Sequence, residues 1–538
     1  MGINTQANRP IALTTPLGPD ALLLTGFAGH EGISQLFSFE VELIAGNRTA
    51  IDFDKLMGQS ATVRLELPGR KQRFFNGVIS RFRQGRRDET FTTYRAEIVP
   101  QFWLWTRRVQ SRVFQHLTVP AILKIVLEGL DVAYEIQGPF HPRDYCVQYR
   151  ESDFAFASRL MEEEGIYYFF KHSADGHKMV VANTPLSHPD LPHQSKVLFE
   201  EITGGNRPED RVFQWEKLQE LRSGKVTLWD HCFELPHKNL EGRKIIQDSV
   251  AVGTVTHKLK VAGNDRLEIY DNLGAYAQRF DGLDAAGGDR SGDLAKIYDD
   301  RERTVAIRMQ QEALKSIEIL GAGSCRQFVS GHKFRLERHF NGDGPYVLTT
   351  VGHAARLGAD YRSGHNGQAD FTYDNTFTCI PIGLPFRPPL VTPKPTIAGT
   401  QTAVVVGPPG EKIYPDKYGR VKVKFHWDRA PERDQKASCW VRVSQNWGGA
   451  NWGGMFIPHV GQEVIVQYEE GDPDRPVITG RVYNAECMPP LKLPDHKTKC
   501  MLQDHGGNKI CMEGHDGKQR ITISSPTGKT VFRIGAPP

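Results

Sequence analysis

Residues 414–484 decide the reading of this chain: YPDKYGRVKVKFHWDR at 414–429 and SCWVRVSQNWGGANWGGMFIPHVGQEVIVQYEEGDPDRPVITGRVYN at 438–484. Val421, Val423, Phe425 and Trp427 alternate with Lys422, Lys424 and His426. A period of two sends one set to each face of a strand. Five short runs, at 402–406, 420–427, 438–444, 463–468 and 476–482, have the spacing of an OB-type barrel. Lys422, Lys424 and Arg442 are expected on its solvated face. The loop at 446–454 (NWGGANWGG) carries two tryptophans among glycines and few charges.

Upstream, prolines crowd 381–395 (PIGLPFRPPLVTPKP). Proline removes donors and fixes φ, so 381–399 reads as an extended linker and a domain boundary. Before it, 1–380 is expected to hold two β-barrel units with helical insertions. LFSFEVELI (36–44), ATVRLEL (61–67), FFNGVISRF (74–82) and FTTYRAEIV (91–99) are strand-like, and 330–340 and 344–357 read as paired strands. Thr118 with Pro120 starts a helix over 119–128. Ser152 caps a second helix whose stripe is Phe154, Ala157, Leu160 and Met161, with Gly165 as its stop. A third, charged helix spans 294–315. Downstream, 485–538 holds a connector and a β ladder. DHGGN (504–508), GHDGK (514–518) and SPTGK (525–529) recur every ten or eleven residues between β-prone runs. Ile510 and Met512, Ile521 and Ile523, and Phe532 and Ile534 share one face. Such short strands cannot bury that face within one chain, which predicts stacking on copies of the same chain in an intertwined β-prism or β-helix. The fold class is mainly β.

Composition narrows the function classes. At 538 residues with 39% hydrophobic and 24% charged content, core size is not limiting. A net charge of +4 argues against nucleic acid as a partner. The eight cysteines are scattered singly, with no C-x-x-C pair, which suits folding in a reducing cytoplasm. The N-terminus has no basic segment followed by a long apolar run, so any export is expected to proceed without a signal peptide.

Candidate chemistry is sparse. GKT at 528–530 lacks the upstream glycine of a phosphate-binding loop, because position 523 is Ile523. Glu162, Glu163 and Glu164 at a helix end read as a solvated face rather than an acid/base group. Cys500, His505, Cys511 and His515 are zinc-type ligands in one short window, but their spacing fits no zinc-finger pattern. The competing reading puts the cysteines on strands and the histidines in turns. The tryptophan loop could stack sugars or bases, yet its low charge favours packing between subunits. No HExxH, G-x-S-x-G or paired-carboxylate motif occurs, and the roughly fifteen residues after Asn484 cannot hold an inserted lysozyme-sized domain. No catalytic residue and no cofactor is expected.

At 414–484 the sequence resembles the signature of the VgrG family, the spike proteins of the bacterial type VI secretion system, similar in architecture to the hub and spike of contractile phage tails. PLGPDALLLTGFAGHEGISQLFSFEVEL (16–43), YCVQYRESDFAFASRLMEEEGIYYFF (145–170) and SGHKFRLERHF (330–340) sit where that family has its hub motifs. The resemblance implies a homotrimeric, non-enzymatic puncturing device. Residues up to about 380 would form a hub seated on a ring-forming Hcp tube among baseplate proteins. The OB barrel would make the neck, and the tail would begin a triple-stranded β-spike tipped by a PAAR-repeat protein. Effectors would be its cargo, the target membrane would be met only transiently, and assembly in the cytoplasm would precede secretion by that system. Trp440, Trp447, Trp452 and Tyr468 are then expected at the neck interface, and Ile510, Ile521, Ile523 and Phe532 at the three-chain axis. The sequence ends at Pro538, soon after the ladder starts, a departure from many relatives that bears on the tip contact. The alternatives are a phage-derived hub-spike or, in another class, an envelope-degrading enzyme or glycan-binding protein on the same barrels.

Overall fold

The computed structural model describes residues 5–201, 209–253, 255–358, 361 and 371–537. Parts of the expected 1–380 region, at 1–4, 202–208, 254, 359–360 and 362–370, therefore lie outside the described residues. The chain divides into two compact units, Met1–Thr396 with Asp472–Asp474, and Ile397–Gly471 with Arg475–Pro538.

One sheet of twelve strands runs through the first unit. Its first half orders as Ile11–Thr14, Ser60–Glu66, Gln72–Arg87, Phe91–Val99, Ser38–Gly46 and Leu23–Gly32. Its second half continues with Gly344–Leu357, Lys333–Glu337, Lys196–Phe199, Arg211–Gln219, Ile317–Gly323 and Phe371–Pro381. Phe371–Pro381 also pairs with Gly344–Leu357, so the second half closes into a six-stranded barrel. The first half is joined differently. Buried Gln6 lies between Ile11–Thr14 and Leu23–Gly32, and its Oε1 accepts from the N–H groups of Leu13 (2.9 Å) and Leu24 (3.0 Å). Its Nε2 donates to the carbonyls of Leu13 (3.2 Å) and Leu22 (3.1 Å). One side-chain amide, with two donors and an acceptor oxygen, thus replaces a strand ladder at the closing edge. Phe27, Phe37, Phe39 and Phe75 fill this barrel, and Phe328, Phe334, Tyr346 and Phe377 fill the second.

Among the described residues three α-helices decorate the barrels: α1 (Val119–Val126), α2 (Asp153–Glu163) and α3 (Lys296–Leu314). Thr118 Oγ1 accepts from the N–H of Ala121 and Ser152 Oγ from that of Ala155, each satisfying an orphan donor of the first turn. Gly165, at φ +65°, ends α2's segment and turns the chain into strand Tyr167–His172.

In the second unit, strands Lys422–Phe425, Gln401–Val406, Glu463–Tyr468, Pro476–Val482 and Arg442–Val443 form a sheet in that order. Val421 and Val441 exchange backbone hydrogen bonds of 3.1 and 2.8 Å, bridging its two end strands. Ala403, Val405, Val423, Phe425, Val464, Val466 and Ile478 fill the interior. The expected solvated face of the second strand is only partly so. Lys422 and Lys424 are 2% and 8% exposed, because residues 428–440 fold back over them. Lys422 Nζ donates to the Ser438 carbonyl (3.0 Å) and sits over the Trp440 ring, and Lys424 Nζ pairs with Asp428 (2.6 Å) and the Ala430 carbonyl. Arg442 and His426 do face solvent. After the barrel, Lys499–Gln503, Lys509–Glu513, Arg520–Ser525 and Thr530–Gly535 form a four-stranded antiparallel meander.

Candidate assembly surface

The meander's register settles which side chains share a face. Leu502, Ile510, Ile523 and Phe532 stand directly opposite one another across the four strands, and Cys500, Met512, Ile521 and Ile534 form the neighbouring row. Since alternate residues face the same way, both rows lie on one side. The reverse side carries Lys499, Gln503, Lys509, Glu513, Thr522, Ser524 and Arg533, with Met501, Cys511 and Val531 among them. In the two apolar rows all seven side chains other than Cys500 are 41–57% exposed. A groove of about 470 Å³ runs over the first row, Leu502, Ile510, Ile523 and Phe532, bordered by Phe456 of the barrel loop. Covering these half-exposed side chains is worth roughly 1 kcal/mol each by apolar transfer, several kcal/mol in all. Leu502 escaped the sequence reading, although it occupies the same strand phase as Ile510.

The tryptophan loop adds to this surface. Gly448–Gly449 pairs with Trp452–Gly453 in a miniature hairpin. Gly453 holds φ +137°, and a Cβ there would lie 2.5 Å from the Trp447 carbonyl, so only glycine fits. The hairpin presents Trp447 (65% exposed) and Trp452 (58%), their rings in a T-shaped pair at 5.3 Å. One ring's edge covers the other's face, which suits insertion into a partner better than stacking of a flat sugar or base. Met455 and Phe456 extend the exposed apolar surface. Trp440 and Tyr468 sit differently. Trp440 is buried between Tyr414 and Lys422, and Tyr468 packs on Phe425 and donates to Gln401 (3.0 Å). Their own chain already covers most of both.

The tail does not gather the four zinc-type side chains. Cys500 stands opposite Met512 on the apolar side, whereas Cys511 stands opposite Met501 on the reverse side. His505 and His515 lie in turns at opposite ends of strand Lys509–Glu513. Among the described residues no group of three or more His, Cys, Asp or Glu is placed to hold a metal ion. The 528–530 segment belongs to an exposed turn with Gly528 at φ +66°, and it opens a strand rather than a phosphate-binding helix.

Glu162, Glu163 and Glu164 overturn the expectation of a solvated face: they are buried or nearly so at the end of α2. Glu162 accepts from the N–H groups of Val391 (3.0 Å) and Thr392 (2.9 Å) and from the Thr392 hydroxyl (2.7 Å). Glu163 meets Arg143 (2.9 Å) and Arg159 (3.5 Å), and Glu164 meets Arg143, Arg303 and Arg279. Arg279 and Arg303 also hold Asp300 of α3, each at 2.6 Å. Burial alone would raise the Glu164 carboxyl, but Arg143, Arg303 and Arg279 outweigh it and keep it below the usual range. Arginines thus hold the Glu163 and Glu164 carboxyls in their ionised form. The proline-rich segment is therefore strapped down: Arg387 donates to the carbonyls of Gly165 (2.9 Å) and Asn183 (2.6 Å), and Gln311 to that of Pro388 (2.8 Å). Lys394 Nζ lies 2.6 Å from both Asp472 and Asp474.

Comparison with known proteins agrees with this architecture. The profile "Phage tail baseplate hub (GPD)" matches residues 30–359, and "Type VI secretion system/phage-baseplate injector OB domain" matches 403–483. The type VI secretion system spike proteins VgrG1a and VgrG1c of Pseudomonas aeruginosa are 38% and 36% identical, over 96% and 98% of this chain and 77% and 70% of theirs. The actin cross-linking toxin VgrG1 of Vibrio cholerae is 31% identical over 94% of this chain but only 45% of its own length. An E. coli type VI secretion component, described as similar to the T4 bacteriophage tail proteins gp27 and gp5, shares the fold at TM-score 0.56 and 20% identity. It covers 88% of this chain and 99% of its own. No helix among the described residues is long and apolar enough to cross a membrane. With two barrels in the hub-matched region, an OB barrel after them and near-full-length kinship to named spikes, the chain belongs to the VgrG spike proteins, hub-and-spike components of the type VI secretion system.

Proposed function

We propose that this chain works as a non-enzymatic homotrimer whose first unit caps an Hcp tube ring and whose tail begins a three-chain spike. The observation that carries the trimer is the meander face whose seven large apolar side chains remain 41–57% exposed among the described residues. Ile510, Ile521, Ile523 and Phe532 face the common axis in this reading, with Trp447 and Trp452 inserted between neighbouring copies at the neck. Trp440 and Tyr468 support that neck from within the barrel.

The partners follow from the same role: a PAAR-repeat tip, baseplate proteins around the hub, and effectors as cargo. A solved PdpA–VgrG complex supports a bound second protein of this kind. Assembly takes place in the cytoplasm, and the particle leaves through its own secretion system, meeting the target membrane only in transit. The non-enzymatic reading is supported by the pairing of Glu163 and Glu164 with arginines and by the exposed-turn setting of 528–530. Light scattering of purified protein at micromolar concentration tests the assembly: a trimeric mass is expected, and a monomer sinks the reading. Measurable peptidoglycan turnover would shift the chain to the enzyme class.

A further inference from the structure

Strands Tyr167–His172 and His177–Ala182 form a hairpin whose last rung sets His172 directly opposite His177. Residues 173–175 of the turn are exposed, but both rings turn inward, with their centroids 6.2 Å apart. Phe37, only 1% exposed, lies 4.9 Å from the His172 ring and 5.6 Å from that of His177, and Phe170 lies 5.9 Å from His177. One buried residue, Asn76 of strand Gln72–Arg87, fastens the tip to the first barrel. Its Oδ1 accepts from His177 Nδ1 (2.9 Å), and its backbone N and carbonyl lie 3.1 and 3.0 Å from His172 Nδ1. Its Nδ2 donates to Thr62 Oγ1 (2.7 Å), and that hydroxyl donates to the Ala174 carbonyl in the turn (2.9 Å). On the other side, His177 Nε2 accepts the backbone N–H of Gln101 (2.9 Å).

The fastening works only with neutral imidazoles. A neutral ring has one N–H and one acceptor nitrogen, whereas imidazolium has two N–H groups and accepts nothing. On His177 the acceptor is already taken, so a proton on Nε2 would set N–H against the N–H of Gln101. His172 Nε2 is buried with no hydrogen-bond partner among the described residues, so imidazolium there leaves an N–H without an acceptor. The charges facing the pair do not offset this. Glu31 and Arg73 face His172, but Glu31 is already held by Arg73 (2.6 Å) and His353 (2.9 Å). Asp131 faces His177 and is paired with Lys178 (3.3 Å), Lys171 lies near Glu135 (4.0 Å), and Asp175 stands in the exposed turn. Burial wins: it lowers His172 to about 3, with the charge of His177 adding to the effect, and His177 to about 4. Folded values below the ordinary 6.5 favour the fastened tip above that pH. The preference is lost as pH falls from 6.5 toward 4, because freed rings take up protons that fastened rings refuse.

A single interior histidine with both nitrogens satisfied needs no explanation beyond packing. Two of them on the last rung of a hairpin, tied to one asparagine beneath an exposed turn, form a unit that can open without the rest of the barrel. We propose that the tip at 172–177 is an acid-operated latch on the first barrel: neutral His172 and His177 keep it shut, and their protonation in mildly acidic surroundings frees the tip and uncovers Phe37 and Phe170. The latch lies within one chain and needs neither the trimer nor the tube contact. Its steepness follows from the proton count. Each histidine shifts the opening equilibrium by up to about tenfold per pH unit below its ordinary value, and the pair by up to about 100-fold. The turn closes again when the medium returns to neutral, since no covalent change is involved.

Hydrogen exchange of the full chain, resolved to single amides by fragmentation and corrected for the intrinsic effect of pH, tests the latch. As pH falls from about 6.5 to about 4.5, protection of the Asn76 and Gln101 amides and of those at 172–177 should drop by up to about 100-fold per pH unit, and return on neutralisation. Over the same range the Phe39, Val41 and Leu43 amides of strand Ser38–Gly46 should stay protected. His177→Gln offers an oxygen to the Gln101 N–H and should reduce the dependence to about tenfold per pH unit; adding His172→Gln should remove it. Tip protection that ignores pH in the unaltered chain, or a dependence that survives both substitutions, overturns the latch. So does a loss of protection at Ser38–Gly46 in step with the tip, which would mean that the whole unit unfolds.

Discussion

His353 shows how burial sets the chemistry of single residues in this protein. It is fully enclosed, donates from Nε2 to Glu31 (2.9 Å) and bonds the Tyr373 hydroxyl through Nδ1 (2.7 Å). Burial pushes its pKa down to about 4, against the pull of Glu31. Burial raises Glu31 itself, but the hydrogen bond from His353 and the charge of Arg73 outweigh it and bring the carboxyl to about 2. Both shifts act in the same direction on stability. Below the ordinary histidine value of 6.5 the unfolded chain takes up a proton that folded His353 refuses until about pH 4. Glu31 adds its loss between 4.5 and about 2. Urea midpoints should therefore fall as pH drops from 6.5 to 4, with a slope of up to about 1.4 kcal/mol per pH unit from this one histidine. His353→Gln should remove that share of the slope, the rest coming from His172, His177, His188 and His332, which burial lowers in the same way; an unchanged slope would put the lability in those four alone. Glu162 gives a second prediction. Glu162→Gln removes a charged acceptor from three donors and should cost about 1–3 kcal/mol, with faster proteolysis at 388–394 as the direct readout.

At the scale of elements, the tail makes the sharpest prediction. Ile521→Asp with Ile523→Asp places two carboxylates on the apolar side and should abolish assembly by light scattering while leaving the chain's far-UV circular dichroism intact. A trimer that survives would show the face is not the contact. The tail's face was legible in sequence because its strands repeat a strict phase between glycine turns. The barrel strands at 463–468 and 476–482 were legible for the same reason. The two lysines of strand Lys422–Phe425 were not, because alternation shows only that a residue leaves the core. It does not show that residues 428–440 will return to cover it. The glutamate run at the end of α2 misled in the same way: its four neutralising arginines, Arg143, Arg159, Arg279 and Arg303, come from up to about 140 residues away.

For the whole molecule, Gln6 ties the closure of a barrel to one amide near the N-terminus. Gln6→Ala leaves the N–H groups of Leu13 and Leu24 without their acceptor, at about 1–3 kcal/mol for each buried group. Denaturation followed separately in the two units should show the first melting earlier and the second unchanged; a shift of both would mean that they unfold as one. The shared sheet has a further consequence, this time for synthesis. The edge of Leu23–Gly32 that pairs with Gly344–Leu357 has no partner until that strand emerges about 310 residues later. At about 5–20 residues per second this is on the order of 15 to 60 s on the ribosome. Throughout that interval the nascent chain displays a bare, glycine-rich strand edge that any neighbouring chain could occupy, so the polysome is where this protein is most exposed to mispairing and most dependent on chaperones.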